Sequence, residues 1–403
     1  MVSQIYNYLK EQNAKFIFLA LLLATLPSLE APKNLFVLLF LISWIVIALQ
    51  NQDWGGRWQS IDTIFLFWIL ADIAVGINAV LIHDQPANGS KDIIKFLLVG
   101  WAISRSRFTV KQMSYLCLVA IFFTLFPLIY SYHDCSGGSC IELNSVGHVN
   151  HTAIYLLIIY TITISLLVFN LENIVKNFHI ELFLISLVLS YVIIDTQSRA
   201  ASGMWVVITL SAMGYAIHIY RNWVSLLRTV IIILMASTII VYNPPPVVQK
   251  FLNGTNLIGE SPRQKIRNFA YYVFKIDPVL GTGMGNFPNF DHDDIKELVI
   301  KDKGKYNKKE FMPFKHPHNV YLAYLSGGGL ILFSIFVLFW LKVTSITYQS
   351  RSWVNQKWIT FGGAGVILTV LGVGWVNTTL AHEHALITMF FIGLLISRYR
   401  EVS

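Results

Sequence analysis

The sequence predicts an all-α polytopic membrane protein with about twelve transmembrane helices and one large loop outside the membrane. Of its 403 residues, 55% are hydrophobic and only 13% are charged, whereas soluble domains carry about 25% charged residues. Apolar runs near the roughly 20 residues that a helix needs to cross a bilayer recur along the whole chain. One connection, residues 243–316, is far longer than the others, and long ordered loops are usually functional.

The apolar runs place each predicted span to within a few residues. The first run lacks a small-residue cleavage site and is followed by further spans, so we expect no cleavable signal peptide. The segment 92–104 is the shortest of the set. The predicted spans are 14–29, 35–49, 61–82, 92–104, 113–132, 151–170, 179–195, 203–220, 227–242, 317–341, 357–376 and 383–398.

Lysine and arginine counts orient these spans, because short cytoplasmic loops are enriched in both. With the N-terminus inside, the short outside loops hold three such residues, Lys33, Lys91 and Arg199. The inside segments hold fourteen: Lys10, Lys15, Arg57, Arg105, Arg107, Lys111, Lys176, Arg221, Arg228, Lys342, Arg351, Lys357, Arg398 and Arg400. We therefore expect both termini in the cytoplasm and the long loop outside.

Three regions follow from this layout. Residues 1–242 carry spans one to nine, residues 243–316 form the outside loop with amphipathic helices, and residues 317–403 carry the last three spans. The formal net charge of +8 comes mainly from the cytoplasmic segments and the lysine-rich loop. The net charge therefore reflects topology and does not predict nucleic-acid binding; as partners we expect membrane lipids and no nucleic acid.

Two of the three cysteines lie close together in a predicted outside loop. Cys135 and Cys140 flank Ser-Gly-Gly-Ser, whereas Cys117 lies within a span. An oxidising exterior favours a disulfide between the first two. Two free thiols are the alternative.

The outside loop has its own pattern. Residues 261–277 predict an amphipathic helix, with Ser261 as N-cap and Pro262 at the first helical position. We expect residues 281–287 to form a glycine-rich turn. We expect the lysine-dense residues 296–309 to form a mobile, solvated flap. A structured loop of this length favours a lid over a site, and an inert plug is the alternative.

Arginines at two predicted helix starts are candidates for an anion site. Arg199 lies at the outer end between two spans, where a guanidinium usually faces the bundle interior. Arg263 and Arg267 lie one helical turn apart at the start of the loop helix, and an arginine fork suits bidentate phosphate binding. The alternatives are an arginine that reaches the lipid headgroups and a solvated basic face.

His318 and Asn319 open the tenth span on the same predicted side as these arginines. An imidazole there can accept a proton at neutral pH, although an isolated interfacial histidine is more often structural. The pair His316 and His318 is a weak metal candidate, because no set of ligands with defined spacing accompanies it. The glycines 327–329 permit close helix packing or a break in the helix.

Taken in order, these motifs resemble the O-antigen ligase and polymerase family, which are membrane glycosyltransferases of GT-C type. The similarity covers about 195–330 and extends loosely to the helical layout. It rests on Thr-Gln-Ser-Arg at 196–199, Ser-Pro-Arg at 261–263, Asp-Pro at 277–278, Gly-Thr-Gly-Met-Gly-Asn-Phe at 281–287 and His-Pro-His-Asn-Val-Tyr-Leu at 316–322.

The resemblance implies transfer of a glycan from undecaprenyl diphosphate, outside the bacterial inner membrane, without metal or other cofactor. It places the essential arginines at Arg199 and Arg263 and the essential histidine at His318. Arg267 is a second candidate for the diphosphate contact, and Asn319 and Gln197 are candidates for orienting the histidine or the sugar. Neutral His318 would remove the proton of the attacking hydroxyl while arginines stabilise the leaving diphosphate.

Three functions remain open at this point. A ligase would transfer the glycan to a lipid A–core acceptor, and the compact size with a single long loop favours it slightly. A polymerase of the same family would use a second lipid-linked repeat as acceptor. A transporter of lipid-linked glycans would be expected to show internal repeats and paired interrupted helices, and the sequence shows neither.

Overall fold

The computed structural model describes residues 14–135, 141–169, 175, 177–220, 230–231, 262–353 and 356–402. Over those ranges the chain is helical and forms no strand. The α-helices are α1 (Ala14–Thr25), α2 (Glu30–Asn51), α3 (Ser60–Ile82), α4 (Asn88–Ser104), α5 (Val110–His133), α6 (Val149–Phe169), α7 (His179–Asp195), α8 (Arg199–Tyr220), α9 (Pro262–Ile276), α10 (His292–Lys303), α11 (Val320–Gln349), α12 (Lys357–Leu368) and α13 (His382–Val402).

Six helices among the described residues are long and apolar enough to cross a membrane: α2, α3, α5, α6, α8 and α11. The helices α1 and α12 are apolar but shorter. A helix overlaps every predicted span except 227–242, which lies outside the described residues apart from 230–231. These features agree with the predicted all-α polytopic membrane protein.

The helix α6 lies at the centre of the bundle. Its most apolar window is 94% buried, and α5, α7, α8, α12 and α13 pack around it. By contrast, α2 buries only 28% of its window and exposes leucines such as Leu38 and Leu49. Apolar side chains on an outward face need a hydrocarbon environment, so the exposed face of α2 fits contact with lipid.

The loop region has a hydrophobic core of its own. The predicted amphipathic helix is confirmed as α9, which buries Ile266, Phe269 and Val273 against Phe287 and Phe311. Ser261, its predicted N-cap, lies outside the described residues.

The prediction of a mobile flap over 296–309 is wrong for its first half. Residues His292–Lys303 form α10, which starts with a capping box between Asp291 and Asp294. Ile295 and Val299 are fully buried in the loop core. One apolar residue per turn was enough to hold a lysine-rich helix against α9.

Glycines join the loop to the membrane helices. The helix α11 is broken at Gly329, where φ is 61° and ψ is −167°. The carbonyls freed near the break accept hydrogen bonds from the glycine-rich turn, including Gly283 N–H to the Gly327 oxygen at 2.8 Å. In return Leu330 N–H donates to the Pro278 oxygen at 2.9 Å. The predicted helix break is thus present, and the turn at 281–287 is a packing element.

The loop also contacts α3 at the end of that helix. Asn78 Nδ2 donates to Asp277 at 2.7 Å and to the Gly281 carbonyl at 3.0 Å, and His83 Nε2 lies 3.2 Å from the same carboxylate. We call this end of the bundle the loop end. Cys135 is disulfide-bonded, and its predicted partner Cys140 lies outside the described residues.

Candidate functional site

The candidate residues come from three segments that meet at the loop end. Arg199 is the first residue of α8, and Arg263 and Arg267 lie in the first two turns of α9. His318 and Asn319 immediately precede α11. A fourth segment, between the π-helical turn Thr369–Val373 and α13, contacts Arg267, His318 and Asn319 and was not among the predicted site elements.

Arg263 lies within electrostatic range of both Arg199 and Arg267. Burial lowers the pKa of Arg263, and the positive charges of Arg199 and Arg267 lower it further. Like charges held together in this way favour an anion that offsets their repulsion. Arg199 and Arg263 also lie at helix N-termini, where free amide groups attract anions. The arrangement suits a phosphate or diphosphate.

Arg267 and Asn319 share one acceptor. Arg267 Nη2 donates to the Trp375 carbonyl at 2.7 Å, and Asn319 Nδ2 donates to the same oxygen at 3.0 Å. Asn319 Oδ1 accepts from Leu322 N–H at 2.9 Å and thereby caps α11. Both side chains therefore fix the site's framework, because they tie α9 and α11 to the segment that contains Trp375.

His318 is half-buried, with its backbone in the left-handed region at φ 49°. Such a conformation is unusual outside glycine and concentrates at functional sites. Burial lowers the pKa of His318, contact with Asn377 partly offsets this, and the charges of Arg263 and His148 lower the pKa again. The imidazole is therefore neutral at pH 7.

One ring nitrogen of His318 lacks a hydrogen bond of standard geometry, although the side chain of Asn377 interacts with the ring. Among the described residues, Nδ1 of His318 is buried without a hydrogen-bond partner, and so is Oδ1 of the neighbouring Asn377. Buried polar atoms are nearly always paired, so orphaned atoms indicate a place for a missing ligand or water. A neutral imidazole with a free nitrogen beside a cationic cluster can accept a proton from a bound hydroxyl.

His316 lies beside His318, with 4.2 Å between ring centroids. Burial lowers its pKa to about 4, followed by the effects of the neighbouring histidines and Lys315. Farther from the arginines, His151 contacts His316 and His382 at centroid distances of 5.8 and 5.3 Å. Within the part of the chain that the structure describes, no three His, Cys, Asp or Glu side chains are placed to hold a metal ion.

Gln197 is less closely tied to the site. It lies two residues before the start of α8 with φ 57°, and its N–H donates to the Ile194 carbonyl at 3.0 Å. In the ranges covered by the structure its side chain makes no hydrogen bond to the arginines or to His318. The geometry assigns Gln197 a role in shaping the α7–α8 turn.

Sequence reasoning missed Trp375 and Asn377. Asn377 belongs to a polar turn at the predicted outer end of the eleventh span, and that location was the only signal in the sequence. A cavity of about 300 Å³ adjoins the site. It is lined by His151, His316, His382, Met284 and Gly327 among others.

Three arginines and a neutral histidine at one end of a helical bundle form a site suited to an anionic ligand. Residues 184–337 match the model of the O-antigen ligase family. This match includes Arg199, Arg263, Arg267 and His318, and it supports an O-antigen ligase or polymerase relationship for that part of the chain. No curated protein matches the chain.

Proposed function

We propose that the protein transfers a glycan from undecaprenyl diphosphate to a lipid A–core oligosaccharide, as an O-antigen ligase. The observation that carries the proposal is the half-buried, neutral imidazole of His318 beside the cluster of Arg199, Arg263 and Arg267. The family match supports ligase or polymerase chemistry in general.

The transfer is a single displacement. The acceptor hydroxyl oxygen attacks the anomeric carbon of the donor sugar, and its proton passes to Nδ1 of His318. The bond from that carbon to the diphosphate oxygen breaks, and both bonding electrons leave with the diphosphate. Because attack and departure occur on opposite faces, the anomeric centre inverts.

The arginines stabilise the charge that develops on the leaving group. Guanidinium groups that are already in position lower the transition state without a proton transfer to the leaving oxygen. A general base contributes about 10²–10⁴-fold to such a reaction. No carboxylate pair of the glycosidase type is needed.

The layout of the chain supports a site at the outer face of the bacterial inner membrane. The charge bias supports cytoplasmic termini and an outside position for residues 243–316. In this proposal the described part of that loop, including α9 and α10, acts as a lid over His318, and the prenyl chain lies along the described helices between Ala14 and Tyr220 and between Val320 and Val402.

The acceptor is identified by transfer assays with purified protein and a prenyl-diphosphate glycan donor. One reaction receives rough lipopolysaccharide and the other receives only additional donor. Glycan attached to lipopolysaccharide identifies a ligase. A ladder of longer lipid-linked glycans without lipopolysaccharide identifies a polymerase and overturns the ligase assignment.

The reaction should proceed without a metal ion, because the arginines supply the positive charge at the diphosphate. EDTA is expected to leave the initial rate unchanged. Strong inhibition that added divalent metal reverses would contradict this mechanism and return His316 and His318 to candidacy as metal ligands.

A further inference from the structure

The end of the bundle opposite the loop holds a second, strongly basic cavity. It has a volume of about 880 Å³. Its lining includes Arg57, Arg107, Lys342 and Arg400, with Glu401 as the carboxylate among the described lining residues. The helix α3 begins beside this cavity and ends beside Asp277, so about 34 Å of helix separates it from the loop end.

The positive charge of this cavity is only partly compensated. Arg107 pairs with Asp53 at 2.8 Å. The fully buried Asp62 pairs with Arg400 at 2.6 Å but also with Arg105 at 2.8 Å, so one carboxylate serves two guanidinium groups. Clustered cations with too few counterions leave a favourable site for an anion.

Two of the lining cations have no carboxylate partner at all among the residues described. Arg57 is exposed and Lys342 is half-buried, and neither forms an ion pair. One donor of Arg400 also lacks a hydrogen-bond acceptor, although this residue is buried in the wall of the cavity. Its side chain is only 6% exposed, yet its Nε is buried without a hydrogen-bond partner. A phosphate group would supply the missing acceptors.

The surroundings place the cavity at the level of lipid headgroups. Trp58 is 54% exposed, Trp54 lies close by, and tryptophan concentrates at the membrane–water interface. Leu341 is 61% exposed next to Lys342 and offers an apolar surface for an acyl chain. A ligand with a phosphate head and a hydrocarbon tail would fit both features.

The cavity itself is held in shape. Gly55 and Gly56 adopt φ values of 84° and 97°, and Gly55 lies so close to Arg105 that a side chain would collide with that residue's carbonyl. Arg105 Nη2 donates to the Gly56 carbonyl at 2.8 Å. The turn is therefore fixed before any ligand arrives, which lowers the ordering cost of binding.

We propose that this cavity binds the phosphate of an anionic phospholipid headgroup in the membrane leaflet opposite the candidate active site. Arg57 and Lys342 contact the phosphate directly, and Arg400 offers Nε from the cavity wall. The bound lipid ties the loop at 53–59 to α11 and α13. This site is independent of the proposed transfer reaction.

The test uses the purified full-length protein in a neutral detergent. Dihexanoyl phosphatidylglycerol, dihexanoyl phosphatidylcholine and inorganic phosphate are titrated separately, and binding is followed by the shift in melting temperature. Phosphatidylglycerol is expected to bind at least about tenfold more tightly than either other probe, since only it carries both a net charge and acyl chains. If inorganic phosphate binds as tightly as phosphatidylglycerol, the proposal that the ligand is a lipid is wrong.

Two pairs of variants separate the cavity from general surface charge. Each neutralised cation should lower the affinity for phosphatidylglycerol about fivefold. The double variant Arg57→Gln with Lys342→Gln is therefore expected to lower it about 25-fold. The matched pair Lys111→Gln with Lys357→Gln removes the same charge outside the cavity and should change affinity less than twofold. Because Arg57 is exposed, Arg57→Gln alone also tests the site without endangering the fold. Wild-type affinity in the Arg57 variants would overturn the proposal.

Discussion

At the scale of single residues, the site depends on a histidine that burial keeps neutral. His316 and His318 differ by two positions in sequence, yet the charge of Arg263 lowers the pKa of His318 and is not among the causes that lower the pKa of His316. The family resemblance also favours His318, through the motif His-Asn. It did not predict why the base is aligned, because Trp375 and Asn377 come from a segment about 56 residues later.

The pH dependence of transfer follows from the lowered pKa of His318. Burial and Arg263 place that pKa below the usual 6.5. The reactive neutral form therefore persists as pH falls to 6.5 and is lost only at lower pH. We expect the acid limb of the kcat/KM profile to have its midpoint below 6.5. A midpoint above 6.5 would contradict the assignment of His318 as base.

Substitution by lysine is expected to affect activity differently at Arg263 and at Arg267. Arg263 makes no hydrogen bond to the described protein residues, so its fork is free for the diphosphate, whereas Arg267 already donates to Trp375. Lysine cannot reproduce a bidentate contact. Arg263→Lys should lower kcat/KM at least about tenfold. Arg267→Lys should lower it less, because a single N–H group of lysine can still donate to the Trp375 carbonyl. Equal losses, or a larger loss at Arg267, would reverse these roles.

At the scale of elements, the break in α11 joins the loop to the membrane bundle. Gly329 has φ 61°, and a side chain there would collide with the Val279 carbonyl. The sequence predicted a possible break from three adjacent glycines. It could not predict the partner, because the hydrogen bonds link residues 44 to 52 positions apart.

Gly329→Ala should therefore destabilise the protein. A non-glycine residue in this conformation costs about 1–3 kcal/mol, and the collision adds to that. We expect a lower melting temperature in detergent and a loss of transfer, since the glycine-rich turn would be displaced. The control Gly214→Ala lies in α8 with open space around it and should be neutral or stabilising. Similar melting temperatures for both variants would contradict the role of Gly329.

At the scale of the whole molecule, hydropathy predicted where the apolar helices occur. It did not predict that α10 packs against α9 in the loop core. Apolar runs gave a helix near every predicted span within the described ranges, because a bilayer imposes length and composition on each span separately. The loop's core instead joins α9 and α10 with Phe287 and Phe311. The loop has few apolar residues, and they are far apart in sequence. The lysine content of residues 296–309 therefore indicated a mobile flap, which is wrong for the first half of that segment.

The orientation of the chain is open to direct measurement. Lys301 in α10 and Lys111 at the start of α5 are both exposed and lie at opposite ends of the bundle. In intact cells, a membrane-impermeant maleimide should label Lys301→Cys and should label Lys111→Cys only after permeabilisation. The parent chain provides the background from its native cysteines. The opposite pattern would place the site in the cytoplasm and contradict the proposed function.

The central claim is that His318 is the general base for glycan transfer at a site where arginines bind the lipid diphosphate. The most direct measurement compares initial transfer rates of wild-type protein, His318→Ala and His316→Ala from a prenyl-diphosphate donor, with melting temperatures confirming that each variant is folded. We expect His318→Ala to lower the rate about 10²–10⁴-fold and His316→Ala to remain within a few-fold of wild type. A folded His318→Ala variant with near wild-type turnover would contradict the claim.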